Sequence, residues 1–270
     1  MKILFIGDIY AKSGRNALHK YLPLIKEKYE VDLTILNGEN TTHGHGLNLK
    51  NYAEIKNAGI DFITLGNHFL NNDEISVILR NKTDIVRPYN LNNFYEGDGS
   101  RVIEVKGVKV RITNIIGRVY INAKKFSIAN PFDSMTELLD KSEEKINILD
   151  FHAEATGEKK SFAKYFDGQL SAIIGTHTHV QTVDNQVFEK GTAYISDVGY
   201  CGAYDSVLGV CNKDAIAFSK NQDFSSHKPA DSQEFEFSAV YLDIDEESGK
   251  TKSIKRIYIV PGKEEITLYD

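Results

Sequence analysis

His177 and His179 stand one residue apart in Gly175-Thr176-His177-Thr178-His179, just after the apolar run Leu170 to Ile174, so two imidazoles lie at the end of a predicted strand. Imidazole is the commonest side-chain metal ligand, and two of them on a turning backbone can reach one ion or two neighbouring ions. Four other places in the chain carry donors of a compatible kind: Asp8, Glu39-Asn40, Asn67-His68 and His152. Oxygen donors mixed with imidazoles suit hard to borderline divalent ions such as Mn, Fe, Zn or Co. Together these donors exceed what one ion can use. Two ions about 3.5–4 Å apart, bridged by one carboxylate and a hydroxide, would engage all of them and clamp the attacking and leaving oxygens of a phosphoryl group. Taken singly, Asp8 and Asn67 read as turn residues. His152, between Phe151 and Ala153, reads alone as a buried, hydrogen-bonded histidine. Only the joint pattern selects metal chemistry.

The elements that must bring these donors together are legible in outline. Lys2 to Ile6, Val31 to Leu36 and Asp61 to Leu65 are short apolar runs, each ending in a polar station, and they have the pattern of strands buried on both faces of a parallel sheet. Between them, Gly14 to Tyr29 has helical spacing with Ser13 as a cap and Pro23 inside it, and Leu49 to Ala58 reads as a helix stopped by Gly59. The alternation predicts an α/β domain with right-handed crossovers. Further on, Asp73 to Arg80 is a predicted helix, and Val102 to Val105 with Val108 to Ile112 form a hairpin across Lys106-Gly107. Pro131 to Lys145 is a helix, Ile146 to Phe151 a strand, and Phe162 to Phe166 a short helix. Ala193 to Ile195 is extended, and Phe235 to Ile244 pairs with Ser253 to Val260, so the last third is mainly β. In open α/β sheets, ligands bind beyond the carboxyl ends of the strands, and every donor named above lies at such an end.

With 270 residues, the chain has enough material for one large α/β domain, and no internal repeat or linker divides residues 1–270, so a single domain with two sheets is expected. The formal net charge is −6 without a dense basic run, which argues against stable nucleic-acid binding and against an anionic membrane surface. No signal peptide or membrane-span pattern is present, so a cytoplasmic location is expected. The two cysteines, Cys201 and Cys211, read as free thiols. His43 and His45 form a second His-x-His among glycines and read as a loop near the substrate. His19 and His227 read as solvated, Tyr10 as packing beside Asp8 within reach of substrate, and Gly199 and Gly202 as turns near the site.

The ordered blocks Asp8, Glu39, Gly66-Asn67-His68, His152 and Gly175-Thr176-His177-Thr178-His179 resemble the calcineurin-like metallophosphoesterase superfamily across nearly the whole chain. More narrowly, Gly7-Asp8-Ile9, Asn37-Gly38-Glu39-Asn40 and Asp150-Phe151-His152-Ala153-Glu154-Ala155-Thr156 look like the YmdB-like phosphodiesterases. Ser196-Asp197-Val198-Gly199 and Tyr204-Asp205-Ser206-Val207 are similar to the late signature of that family. Two departures from the superfamily pattern, Tyr10 where its first block has His and Glu39 where it has a bridging Asp, are shared with the narrower group. The resemblance implies a four-layer αββα sandwich with a dinuclear centre, most in keeping with Fe or Mn. It also implies that Asp8, Glu39, Asn40 and His179 hold one metal, and that Glu39, Asn67, His152 and His177 hold the other. By the same resemblance, His68 is an unligated proton donor, the nucleophile is a bridging hydroxide, the substrates are 2',3' and 3',5' cyclic nucleotides, and the protein is a homo-oligomer. Rival expectations are a phosphomonoesterase or protein phosphatase on the same metals, and a nucleotide-sensing RNA-degradation scaffold with little turnover.

Overall fold

The computed structural model describes residues 1–121, 125–221 and 227–270. Its larger sheet has eight strands. The order along its main path is Asp8–Ile9, Tyr200–Ala203, Phe235–Ile244, Lys2–Ile6, Leu33–Asn37, Phe62–Thr64 and Ile85–Val86, with Thr251–Ile259 pairing also to Phe235–Ile244. From Lys2–Ile6 to Ile85–Val86 the neighbours are parallel. The second sheet has six strands, ordered Gln186–Val187, Ala193–Ile195, Ala172–Thr176, Ile146–His152, Val108–Ile116 and Ser100–Val105. Its middle pairings are likewise parallel. A third, two-stranded sheet joins Leu91–Asn92 to Ser127–Ile128.

Parallel strands must return by crossovers, and among the described residues six α-helices supply the helical part: α1 Ala11–Tyr29, α2 Leu49–Asn57, α3 Ile75–Asn81, α4 Pro131–Leu139, α5 Thr156–Tyr165 and α6 Asn212–Asn221. The main apolar cores among the described residues follow from the alternation of side chains along each strand. Leu4 and Ile6 pack with Leu18, Leu22 and Ile25 of α1 and with Ile55 of α2. Ile3 and Phe5, on the opposite face, meet Ile112, Ile148 and Ile174 of the second sheet. The far face of that sheet presents Leu149, Phe151 and Ile173 to Met135 of α4 and Phe162 of α5. Every residue from Ile3 to Ile6 and from Leu33 to Asn37 is therefore buried, which explains the uninterrupted apolar runs.

Several expected boundaries move. α1 begins at Ala11, three residues early, and the residue at its cap, Tyr10, makes no side-chain capping bond. Ser13 is instead buried within the helix and donates to Ala230 O at 3.0 Å, a long-range partner. Pro23 sits inside α1 without ending it. The second strand starts at Leu33, because Asp32 accepts from Lys2 N at 2.7 Å and caps the strand pair from outside. α3 starts at Ile75 and runs to Asn81. α4 ends at Leu139, where the turn through Ser142 takes over, so the expected extension to Lys145 is lost. The helix expected over Phe162 to Phe166 is the last part of the ten-residue α5. The hairpin is longer than expected, Ser100–Val105 with Val108–Ile116. Gly202 lies within the strand Tyr200–Ala203 and is no turn, whereas Gly199 precedes that strand with φ 82°. Cys201 and Cys211 are free. Among the described residues no helix is long and apolar enough to cross a membrane.

Candidate metal centre

The parallel strands of the larger sheet all point their carboxyl ends the same way, and Asp8, Glu39-Asn40 and Asn67-His68 follow Lys2–Ile6, Leu33–Asn37 and Phe62–Thr64 at that edge. His152 and His177-Thr178-His179 leave the second sheet at the ends of Ile146–His152 and Ala172–Thr176. The two edges meet. His152 Nε2 lies 3.2 Å from Glu39 Oε1, 2.9 Å from Asn67 Oδ1 and 3.0 Å from His177 Nδ1. Ligand atoms of Glu39, His152 and His177 all fall within 4.8 Å of one another. Beside them, His179 Nε2 is 3.2 Å from Asn40 Nδ2 and 3.7 Å from Asp8 Oδ1. Asn40 Nδ2 reaches Glu39 Oε1 at 3.3 Å, so Glu39 touches both groups. All the residues expected as ligands from the sequence are thus gathered in one place.

The close approach depends on two glycines. A Cβ at Gly66 would collide with Glu39 Oε2 and the His152 ring, and one at Gly175 would collide with the Ser196 carbonyl. No side chain larger than hydrogen fits between the strand ends and the donors they carry.

Hydrogen bonds outside the cluster fix which nitrogen of each histidine faces inward. Thr176 Oγ1 donates to Asp150 Oδ1 at 2.6 Å, so its lone pair is left to accept from His152 Nδ1 at 2.8 Å. His177 Nε2 lies 3.0 Å from Glu154 Oε2, and His179 Nδ1 donates to Leu208 O at 3.1 Å. Each ring is therefore anchored to an outer partner through one nitrogen and turns the other to the centre, the arrangement by which proteins orient histidine ligands. Asp150 itself is fully buried, accepts also from Thr64 Oγ1 and Asn37 Nδ2, and burial pushes it up to about 7.

The field at the site favours a cation. Asp8 Oδ1 and Asn40 Oδ1 are buried and have no hydrogen-bond partner among the described residues, a costly state for polar atoms unless something else satisfies them. Burial works against a proton on His152, yet Glu39, Asp8 and Asp150 outweigh it and push the ring up to about 9. Burial likewise opposes charge on Glu39, but His152, with His68 and His177 behind it, holds that carboxyl well below the usual carboxylate range. Burial and then the positive His152 push His177 down to about 3, which keeps its inner lone pair free. A donor set of carboxylates, carboxamides and imidazoles with two orphaned oxygens fits divalent transition metals.

The cleft over these residues measures about 220 Å³ and is bounded by Tyr10, His45, His68, Leu208 and Val210 as well as by the cluster itself. Tyr10 packs edge-on against His179 with centroids 5.7 Å apart, and Tyr200 stacks on the same ring at 5.3 Å and 4°. His68 donates its backbone N–H to Glu39 Oε2 at 2.8 Å, while its ring lies 4.8 Å from His45 and its Nδ1 is 2.9 Å from the Asn71 carboxamide. His45 is thus at the cleft, as expected of its loop, and His43 is exposed. His19 sits at the surface 3.7 Å from Glu54, and exposed His227 packs against Phe218. Sequence reasoning missed Thr176, Glu154, Leu208 and Tyr200 as supports of the histidines. Thr176 and Glu154 lie inside quoted blocks; Leu208 acts through its carbonyl, which no side-chain pattern reveals.

The profile of a family described as YmdB-like protein matches residues 4–257. A Bacillus subtilis protein named 2',3'-cyclic-nucleotide 2'-phosphodiesterase is 38% identical over 265 residues, covering 96% of this chain and 97% of that protein. A crystal structure described as a novel phosphatase from Mycoplasma pneumoniae is 39% identical, with a TM-score of 0.91 over 96% of this chain and 93% of that one. A 5'-nucleotidase from Candida albicans, at 15% identity and a TM-score of 0.57 over 96% of this chain and 51% of its own, shares the fold. With its strand-end donors, their outer supports and a match along nearly its full length, the chain belongs to the YmdB-like family.

Proposed function

We propose that this protein is a metal-dependent phosphodiesterase of cyclic nucleotides, 2',3' and by extension 3',5', built as a four-layer αββα domain with two metal sites. The observation that carries the reading is the pair of adjoining donor groups: His152 Nε2 within 3.2 Å of Glu39 and Asn67 and 3.0 Å of His177, and beside it the orphaned Asp8 Oδ1 and Asn40 Oδ1 next to His179. Asp8, Glu39, Asn40 and His179 would hold one ion, and Glu39, Asn67, His152 and His177 the other. Two such ions, when bound, supply an activated water and neutralise charge developing on the phosphoryl oxygens. Asn40 takes the place that Tyr10 cannot, since Tyr10 is occupied in packing on His179. The name of the Bacillus subtilis relative supports a cyclic diester as the substrate class.

Opening a 2',3'-cyclic phosphate breaks one P–O bond to ribose and forms one to water, and the released ribose oxygen needs a proton. We assign that proton to His68. The His68 ring, in the wall of the cleft, would give the proton as an imidazolium and be left as the neutral imidazole. A positioned acid of this kind contributes roughly 10²–10⁴ in rate. The deciding experiment pairs elemental analysis with turnover on a 2',3'-cyclic nucleotide and on the corresponding monophosphate. Up to two transition-metal ions per chain and a strong preference for the diester are expected. Full activity that survives exhaustive chelation sinks the metal reading, and preference for the monophosphate makes the protein a phosphomonoesterase.

A further inference from the structure

The loop carrying two of the site histidines is held in an unfavourable backbone. His177 has φ 102° and His179 φ 62°, values that cost free energy for any residue but glycine and persist only where the surroundings impose them. Beneath this loop lie a lysine and an aspartate that no step of the proposed chemistry uses. Lys159 on α5 is 0% exposed and Asp197 1% exposed. Lys159 Nζ and Asp197 Oδ2 are 2.9 Å apart. Each also grips the loop: Lys159 Nζ donates to Thr176 O, and Thr178 N donates to Asp197 Oδ2, both at 2.9 Å. The other oxygen, Asp197 Oδ1, accepts from Gly199 N at 2.9 Å, and Asp197 N donates to Thr182 Oγ1 at 3.0 Å, so the carboxylate cannot swing away.

A buried ion pair is poor evidence of a stability role, because well-packed apolar residues of similar volume often do as well or better. An apolar pair could not hold the Thr176 carbonyl and the Thr178 amide, the two backbone groups that flank His177. We propose that Lys159 and Asp197 are positioning residues whose ion pair clamps His177-Thr178-His179 in its strained conformation, so that both imidazoles are in place before any cation arrives. The inference rests on His177 and His179 being metal ligands. It assigns a task to the Asp197 of the late sequence block and to Lys159, which lies before the helix expected from the sequence over Phe162 to Phe166.

The test uses full-length Asp197→Asn and Lys159→Met. Asparagine keeps the shape but turns an N–H₂ toward Thr178 N or Gly199 N, where only an acceptor serves, and methionine removes the grip on Thr176. Both variants should keep the wild-type far-UV circular dichroism, bind Mn²⁺ about 10–100-fold more weakly, and lose kcat on a cyclic nucleotide while KM stays within about twofold. A folded variant with wild-type Mn²⁺ affinity, changed only in melting temperature, overturns the proposal. Hydrogen exchange of the metal-free wild type keeps the question decidable if neither variant folds. The Thr178 amide should exchange at least tenfold more slowly than an open loop amide, and exchange at the open rate overturns the clamp. Wild-type protein that binds no Mn²⁺ would refute the metal reading, and the exchange rate of Thr178 would still decide whether the pair holds the loop.

Discussion

The Glu39 side chain touches both groups of donors. Its Oε1 faces His152 at 3.2 Å and Asn40 Nδ2 at 3.3 Å, and its Oε2 accepts the His68 amide. Two cations held a few ångströms apart repel, and an anion between them offsets that repulsion. Glu39→Gln, which keeps the shape and removes the charge, should therefore weaken metal binding more than Glu39→Asp, which keeps the charge and shortens the reach. Calorimetric titration with Mn²⁺ compares them, and equal affinities would remove Glu39 from the bridging position. His68 differs in kind, because its backbone supports Glu39 while its ring is left to the cleft. His68→Ala should keep both metals and lose roughly 10²–10⁴ in rate on a cyclic nucleotide. A nitrophenyl phosphodiester, whose leaving group departs without a proton, should lose clearly less. Equal losses on the two substrates, or loss of metal, would make His68 a support and not an acid.

The strand Ala172–Thr176 shows what an element adds to its residues. Parallel pairing to Ile146–His152 sets Thr176 opposite His152, and the threonine hydroxyl joins that ring to Asp150. Thr176→Val is nearly isosteric and deletes only the link that holds the proton on Nδ1. Metal affinity should fall about 10–100-fold with the fold intact; unchanged affinity in the folded variant would mean that Thr176 does not set the tautomer. Elements of this kind were legible because strands buried on both faces cannot alternate, so Ile3 to Ile6 and Ala172 to Ile174 stand as continuous apolar runs leading into the donor residues. The donors themselves were legible through their types and order. Helix limits were less so, since α1 starts where Ala11 N is tied to Asn40 O and Ser13 is drawn to Ala230, contacts far apart in sequence. The outer supports were least legible: Lys159 lies outside the helix expected over Phe162 to Phe166, and only the longer α5 carries it to Asp197.

At the scale of the whole molecule, the site is a seam. Asp8, Glu39, Asn40 and Asn67 come from the edge of one sheet, and His152, His177 and His179 from the edge of the other. A cation bound to donors from both should tie the sheets together and add to global stability. At free Mn²⁺ about a hundred times its Kd, the gain is about 2.7 kcal/mol, roughly 5 °C in melting temperature for a chain of this size. Protons compete for the same seam. In the metal-free protein the ring of His152 is pushed up to about 9, above its ordinary 6.5, by Glu39 and its acidic neighbours against the effect of burial. A raised pKa means that the proton stabilises the metal-free fold fully below pH 6.5, and that this contribution is lost as pH rises through about 9. A cation must displace that proton, so Mn²⁺ affinity should climb about tenfold per pH unit below 9 and level off above it. The two effects act in the same direction. The gap in melting temperature between Mn²⁺-loaded and chelated protein should widen steadily from pH 6.5 to 9, and thermal unfolding across that range measures it. A gap that stays constant or narrows would show that the cation displaces no proton from His152.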